Sequence, residues 1–159
     1  MSKDAPGAAN NADDATPSTS DDSVLRSLVG YQVRRADIAM RQAFARRIGT
    51  PFGLTPVEFS VLVLLGESAQ LTHKQLSEAL AVAPSNMVLV VGRLRKRELI
   101  TRTRNPDDGR SIFLLLTEAG QALRDQARAE VERMEDEMFA GVDRQARAQL
   151  LHTLRQLRF

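Results

Sequence analysis

The 159-residue chain carries 22 Lys and Arg against 20 Asp and Glu, is 43% apolar, and contains no cysteine and only two histidines. A length of this order holds one domain with appendages, the apolar share supplies a modest core, and the lack of cysteine removes disulfides, thiolate nucleophiles and thiol switches. Two histidines, His73 and His152, are too few for most dedicated zinc sites, so neither a metal nor a cofactor is expected.

Residues 1–22 hold Lys3 against five aspartates, a balance of −4 that leaves the rest of the chain at +6. The segment is nearly empty of large apolar side chains, so burial cannot offset its ordering entropy, and residues 1–21 read as a disordered acidic tail. From Ser23 to about Ile48, Leu25, Leu28, Tyr31, Ile38, Ala45 and Ile48 recur at helical intervals, and Gly49, Pro51 and Gly53 are expected to end that helix. Thr55, Pro56 and Glu58 form a capping box ahead of Phe59, Val61, Leu62, Leu64 and Leu65, which predicts a short buried helix. Thr72 with Gln75 repeats the device and opens a helix carrying Leu76, Ala79 and Leu80. His73, next after that cap, reads as an exposed polar residue.

Pro84 and Ser85 start the following helix, which turns Met87, Val90, Val91 and Leu94 inward and Asn86, Arg93, Arg95, Lys96 and Arg97 toward solvent. After Leu99 the pattern becomes β-type through Arg104, then turn-forming over Asn105-Pro-Asp-Asp-Gly109, then β-type again from Arg110 to Leu116, which predicts a hairpin with a basic tip. Thr117 caps a long helix with Leu123, Ala127, Val131, Met134 and Met138 on one face. Asp143 opens a last helix with Ala146, Leu150, Leu154 and Leu157, where His152 reads as a surface residue. No run of about 18 apolar residues and no basic-then-apolar leader occurs, so a cytoplasmic protein without membrane contact is expected. No Gly-x-Gly-x-x-Gly, P-loop or His-Glu-x-x-His motif is present either, so no catalytic residue is assigned and an enzyme is not expected.

The order helix, turn, helix, strand, basic loop, strand over residues 72–116 is that of a winged helix-turn-helix, and the expected class is mainly α with a small antiparallel β-hairpin wing. A helix fits the B-DNA major groove, and its first turn offers backbone N–H groups to phosphate, which makes Ser85 and Asn86 the leading readers of double-stranded DNA. Residues 93–110 hold seven cationic side chains, among them Arg93, Arg104 and Arg110, against three acidic ones, a surplus that would release counterions from a duplex. Arg110 near the loop tip suits a minor groove, with Asp108 placed to hold the loop or orient that arginine.

In five segments the sequence resembles the MarR family of regulators: Leu54-Thr-Pro-x-Glu-Phe59, Thr72-x-x-Gln-Leu-x-x-x-Leu80, Leu99-Ile-x-Arg102, Pro106-Asp-Asp-Gly-Arg110 and Leu116-Thr-x-x-Gly120. The resemblance implies a homodimer interlocked through its end helices, with an N-terminal dimerisation helix in 22–53, a DNA-binding lobe over 54–117 and C-terminal dimerisation helices over 118–159. It also implies a transcriptional regulator, expected to be a repressor, with one winged helix on each half of a palindromic operator and the family's wing Asp-x-Arg at Asp108 and Arg110; the residues expected to meet DNA are Thr72, Ser85, Asn86, Val88, Arg93, Arg104, Asp108 and Arg110. Many relatives have Thr and Arg where this chain has Val88 and Leu89, and Gly where it has Glu98. Val88 therefore either meets a thymine methyl or simply packs with Leu89. A small-molecule effector, an organic anion or phenolic such as an aromatic acid, is implied to weaken DNA binding. Its candidate contacts are Tyr31, Arg34, Arg35 and Ile38 with Phe59 and His73, although Arg34 and Arg35 equally suit ion pairs. A winged helix serving DNA architecture or protein interaction, without effector response, is the alternative reading.

Overall fold

The computed structural model describes residues 23–68, 70–104 and 111–157. The acidic tail over residues 1–21 and the hairpin-tip residues Asp108 and Arg110 lie outside the described residues. The chain divides into two compact units between Asp37 and Ile38.

In the first unit, helix α1 (Ser23–Arg26) is separated from α2 (Val29–Phe44) by a break at Ser27 and Leu28, where the Ser27 hydroxyl donates to the Val24 carbonyl (2.7 Å) and Gln32 Nε2 donates to the Arg26 carbonyl (2.6 Å). The single helix expected from Ser23 is therefore interrupted, because side chains cap the frayed first turn instead of continuing the ladder. Among the described residues up to Asp37 none is buried, and Val24, Leu25, Leu28, Val29 and Val33 all stand exposed.

In the second unit, α2 runs on into a π-helical turn (Ala45–Gly49) and a short α3 (Thr50–Phe52), and it is Gly53, at φ +61°, that stops the path. Gly49 and Pro51 do not end the helix as expected. Pro51 follows directly on the π turn, whose last bond runs from Thr50 N–H to the Ala45 carbonyl, and the helical path continues through the proline with the wider turn before it. Arg47, on the π turn, pairs with Glu130 (2.5 Å) and Glu137 of the long helix α7 (Glu118–Met138), which fixes this irregular stretch.

Helix α4 (Pro56–Glu67) is apolar around most of its circumference, and Val61, Leu62 and Leu65 are buried in it. Helices α5 (His73–Leu80) and α6 (Pro84–Lys96) meet at a three-residue turn. Strands β1 (Ile100–Arg104) and β2 (Ile112–Leu116) pair antiparallel from Ile100 opposite Leu116 to Arg104 opposite Ile112, and Leu71 bridges to Leu114 on the far edge. The core gathers Ile48, Val61, Leu62, Leu76, Met87, Val91, Leu94 and Leu114, each essentially inaccessible. Burial of each such side chain contributes about 1.5–3 kcal/mol.

The sheet is joined to α7 by a close backbone approach. Thr117 caps α7 by accepting from Gly120 N (3.0 Å), donates its hydroxyl to the Glu98 carbonyl (2.7 Å) and its N–H to the Leu99 carbonyl (3.1 Å). A Cβ on Gly120 would stand 1.9 Å from the Leu99 oxygen, so only glycine fits there. On α7 the expected face appears in four of its five residues, with Ala127 and Met134 buried and Leu123 and Val131 packed on the core, whereas Met138 at the helix end is exposed. Helix α8 (Arg144–Gln156), capped by Asp143, is held to the end of α7 by Arg147 pairing with Asp136 (2.7 Å) and Glu135 (3.2 Å), yet none of its residues is buried.

Candidate nucleic-acid interface

The helix-turn-helix is built from two local devices. The Thr72 hydroxyl accepts from Gln75 N (3.3 Å) and donates to Gln75 Oε1 (3.0 Å), which fixes the start of α5. At the other end, Ala81 takes a left-handed φ of 50°, and Val82 N–H returns to the Ser77 carbonyl (3.0 Å), so the chain reverses within the turn before Pro84. Proline at the first position of α6 is pre-set for helix and needs no N–H partner.

Helix α6 differs from its neighbours at its N-terminus. Thr55, Thr72, Thr117 and Asp143 cap α4, α5, α7 and α8 with side-chain oxygens, whereas Ala83 before α6 makes no side-chain cap. The first-turn N–H groups, those of Ser85 and Asn86 among them, thus receive no cap from the side chain at the N-cap position, and the helix dipole adds partial positive charge there. Both side chains are exposed. Opposite the buried Met87, Val90, Val91 and Leu94, the strip Ser85, Leu89, Gly92 and Lys96 faces out at helical spacing, with Val88 beside it. Val88 is 54% and Leu89 61% exposed, so neither packs into the core of this chain.

The remaining DNA candidates fall in three places. Thr72 is half-buried with its hydroxyl committed to the α5 cap, and Arg104 is exposed at the last pair of the hairpin. Arg93 is exposed on the flank of α6, where its Nε donates to Glu58 Oε1 (2.7 Å). Its neighbour one turn on, Arg97, donates Nη1 to the Gly53 carbonyl (2.6 Å) and Nη2 to the Phe52 carbonyl (3.0 Å). Glu58 is 4% exposed. Burial alone would raise its carboxyl pKa, but the Arg93 guanidinium and the Thr55 backbone and hydroxyl donors outweigh that and hold it below the usual carboxylate value. Sequence reading found the cap at Glu58 but not these tethers, since nothing local in residues 93–97 names a partner some forty positions away.

His73 is a correction. It is half-buried, not exposed, and its Nε2 is buried without a hydrogen-bond partner. Desolvation first, then Arg102 and Arg95, lower its pKa. His152 is exposed on α8, as expected, in contact with Gln156.

Of the other effector candidates, Tyr31 is half-buried with the Arg35 guanidinium 5.9 Å from its ring centroid, and Arg34 is exposed. Ile38 is 46% exposed on the second unit's part of α2. Phe59 packs edge-on against Phe44, ring centroids 5.9 Å apart. Phe44 in turn lines an open cleft of about 430 Å³ formed by Arg41, Phe44, Ala45 and Gly49 on one side and Gly53, Leu54, Thr55 and Pro56 on the other. None of the six candidates lines that cleft directly. Among the described residues no group of three metal-ligating side chains occurs, and no single helix is long and apolar enough to cross a membrane.

Comparison with known proteins agrees with this geometry. The MarR family model matches residues 54–112. The putative transcriptional regulatory protein for the hcr operon of Thauera aromatica is 30% identical over 129 residues, covering 81% of this chain and 78% of the relative. The transcriptional repressor CouR, solved bound to a 23-mer DNA duplex, superposes with a TM-score of 0.78 at 34% identity, over 84% of this chain and 94% of its own. BpsR of Bordetella bronchiseptica, solved to explain regulation of its DNA binding by 6-hydroxynicotinic acid, superposes with a TM-score of 0.75 at 26% identity, over 82% and 92% of the two chains. With an exposed, uncapped second helix beside an antiparallel hairpin, and with relatives of this kind along most of its length, the chain belongs to the MarR family of winged-helix DNA-binding transcriptional regulators and is not an enzyme.

Proposed function

We propose that the chain is a repressor that binds a palindromic operator as a homodimer and releases it on taking up a small organic anion or phenolic, an aromatic acid being the leading class. The observation that carries the reading is the outward face of α6, with Ala83 offering no side-chain cap at its N-terminus and with Ser85, Asn86 and Val88 exposed around it. In a major groove the backbone N–H groups meet phosphate, Asn86 reads a base edge, and Val88 contacts a thymine methyl. Arg104 at the end of β1, with Asp108 and Arg110 beyond it in the sequence, supplies the wing's backbone and minor-groove contacts. Such a protein acts where the chromosome is, in the cytoplasm.

The homodimer reading is supported by segments 22–53 and 118–159, whose apolar side chains exceed what the chain itself covers: Val24, Val29 and Val33 in one, Leu150, Leu151 and Leu154 in the other. For the effector, the cleft beside the π turn has the volume of a small-molecule pocket, an apolar wall in Phe44 and Leu54, and Arg41 to meet a carboxylate. Phe59 backs that wall through Phe44, and Ile38 lies one turn before Arg41 on the same helix. BpsR's response to 6-hydroxynicotinic acid supports an aromatic acid as the ligand class.

The test is selection of duplexes from a randomised library, then titration of the winner against unrelated DNA at matched salt. A specificity ratio of about 10³ or more is expected. Asn86→Ala narrows that ratio, while Arg110→Ala weakens binding to all sequences. Equal affinity for selected and unrelated DNA would leave only an architectural role and overturn the reading.

A further inference from the structure

The chain uses one capping device twice, and the two copies differ in a way the cap does not require. At α5 the box is Thr72 with Gln75, a neutral amide in an exposed position. At α4 it is Thr55 with Glu58, a carboxylate that is 4% exposed. A cap needs only an acceptor oxygen, as α5 demonstrates, and placing an ionised group in a buried position opposes folding unless it is paired. The charge at Glu58 therefore answers to something besides the cap.

Its two oxygens divide the work. Oε2 accepts from Thr55 N (2.9 Å) and Thr55 Oγ1 (3.0 Å), which completes the cap, while Oε1 accepts from Arg93 Nε (2.7 Å). One turn further along α6, Arg97 grips the Phe52 and Gly53 carbonyls through both terminal nitrogens. Two arginines on one flank of α6 are thus fastened to a single corner of the chain, residues 52–58.

We propose that Glu58 is a positioning residue for DNA reading: with the Arg97 grip it sets the rotation of α6 about its axis, and so the direction in which Ser85, Asn86 and Val88 point. At a side-chain radius of about 5–6 Å, a rotation of about 20° displaces a base-reading group by roughly 2 Å, enough to break a hydrogen bond. The same corner supplies Gly53, Leu54, Thr55 and Pro56 to one wall of the cleft, so a molecule that displaces that wall displaces the anchors of α6. The inference rests on α6 being the DNA-reading helix.

Glu58→Gln separates the two roles, because the amide oxygen can still cap α4 while its NH2 group meets Arg93 donor to donor. Far-UV circular dichroism and the thermal midpoint of the full-length variant should stay near wild type. Affinity for a library-selected duplex should fall by about tenfold, and affinity for an unrelated duplex at the same salt should not fall. Removing a negative charge favours DNA in general, so bulk electrostatics predicts the opposite sign on the selected duplex. In an Arg93→Ala background, Glu58→Gln should cost no further selected-duplex affinity, since the pair acts as a unit. Wild-type affinity in Glu58→Gln, or an equal fall on both duplexes, would overturn the proposal. If Glu58→Gln does not fold, Arg97→Met carries the test: it keeps the apolar stem but has no donor for either carbonyl, and it must show the same selective loss or the proposal fails. Asn86→Ala tells the two readings apart. If it leaves selected-duplex binding intact, α6 is not the reader; if it weakens binding where Glu58→Gln and Arg97→Met do not, only the positioning role is wrong.

Discussion

The winged lobe and the last helix use apolar residues in comparable density and to opposite effect. In the lobe, Leu62, Leu76, Met87, Val91, Leu94 and Leu114 close on one another until almost no surface remains. On α8, Leu150, Leu151 and Leu154 recur just as regularly but stand 41–49% exposed, and the helix is held to α7 through Arg147. The first region finds its complement inside the chain; the second carries an apolar stripe that the chain leaves uncovered. The proposed homodimer on two half-sites would use this division, with a reading head that packs by itself and arms whose packing a second copy would complete.

Truncation in each region sharpens that contrast and gives the largest effect expected here. Leu94→Ala opens a cavity in a filled core and should cost about 2–5 kcal/mol at any protein concentration. Leu154→Ala should leave the dilute chain nearly as stable as before and shift association to higher concentration, because the leucine is 41% exposed in the single chain. Urea denaturation at two protein concentrations, with sedimentation of each variant, separates these outcomes. A concentration-independent loss in Leu154→Ala as large as that in Leu94→Ala would erase the distinction.

The same contrast governs what could be read in advance. The starts of α4, α5, α7 and α8 were legible because each is set by a side chain within three residues, Thr55, Thr72, Thr117 or Asp143. The inward face of α6 was legible because its period is local. The π turn and the passage through Pro51 were not, because Arg47 fixes that stretch from Glu130 and Glu137, some ninety positions later. For the same reason, composition showed the positive charge of Arg93 and Arg97 but not their anchors. His73 was misjudged because its place after a cap says nothing of the tertiary packing that leaves it half-buried.

His73 offers a second, smaller test within the lobe. Burial, then the like charges of Arg102 on β1 and Arg95 on α6, lower its pKa below the usual 6.5. Between those two values the unfolded chain holds a proton that the folded chain does not, so folding stability rises with pH across that window and declines as pH drops below about 6.5. The urea midpoint of wild type should therefore fall between pH 7.5 and pH 5.5 by more than that of His73→Gln, with His152→Gln on exposed α8 as the control position. Identical pH slopes in wild type and His73→Gln would remove the histidine from the account.

The smallest effect runs in the stabilising direction, again in the lobe. Helix α6 ends with Leu99 N–H on the Leu94 carbonyl (3.0 Å) and Glu98 N–H on the Arg95 carbonyl (2.9 Å), and the Glu98 backbone sits at φ +58°. This is the paired-bond termination that usually places glycine at the left-handed position, where a side chain costs about 1–2 kcal/mol. Glycine gives back part of that gain through the greater freedom of its unfolded chain, so Glu98→Gly should add about 0.5–1 kcal/mol. The Glu98 carbonyl would still receive the Thr117 hydroxyl, because that bond uses only backbone from residue 98. A thermal midpoint that rises by a few degrees, with DNA affinity unchanged, would mean that the glutamate is a tolerated strain and not a reader. A rise accompanied by lost affinity would instead place residue 98, immediately before the wing, in contact with the duplex.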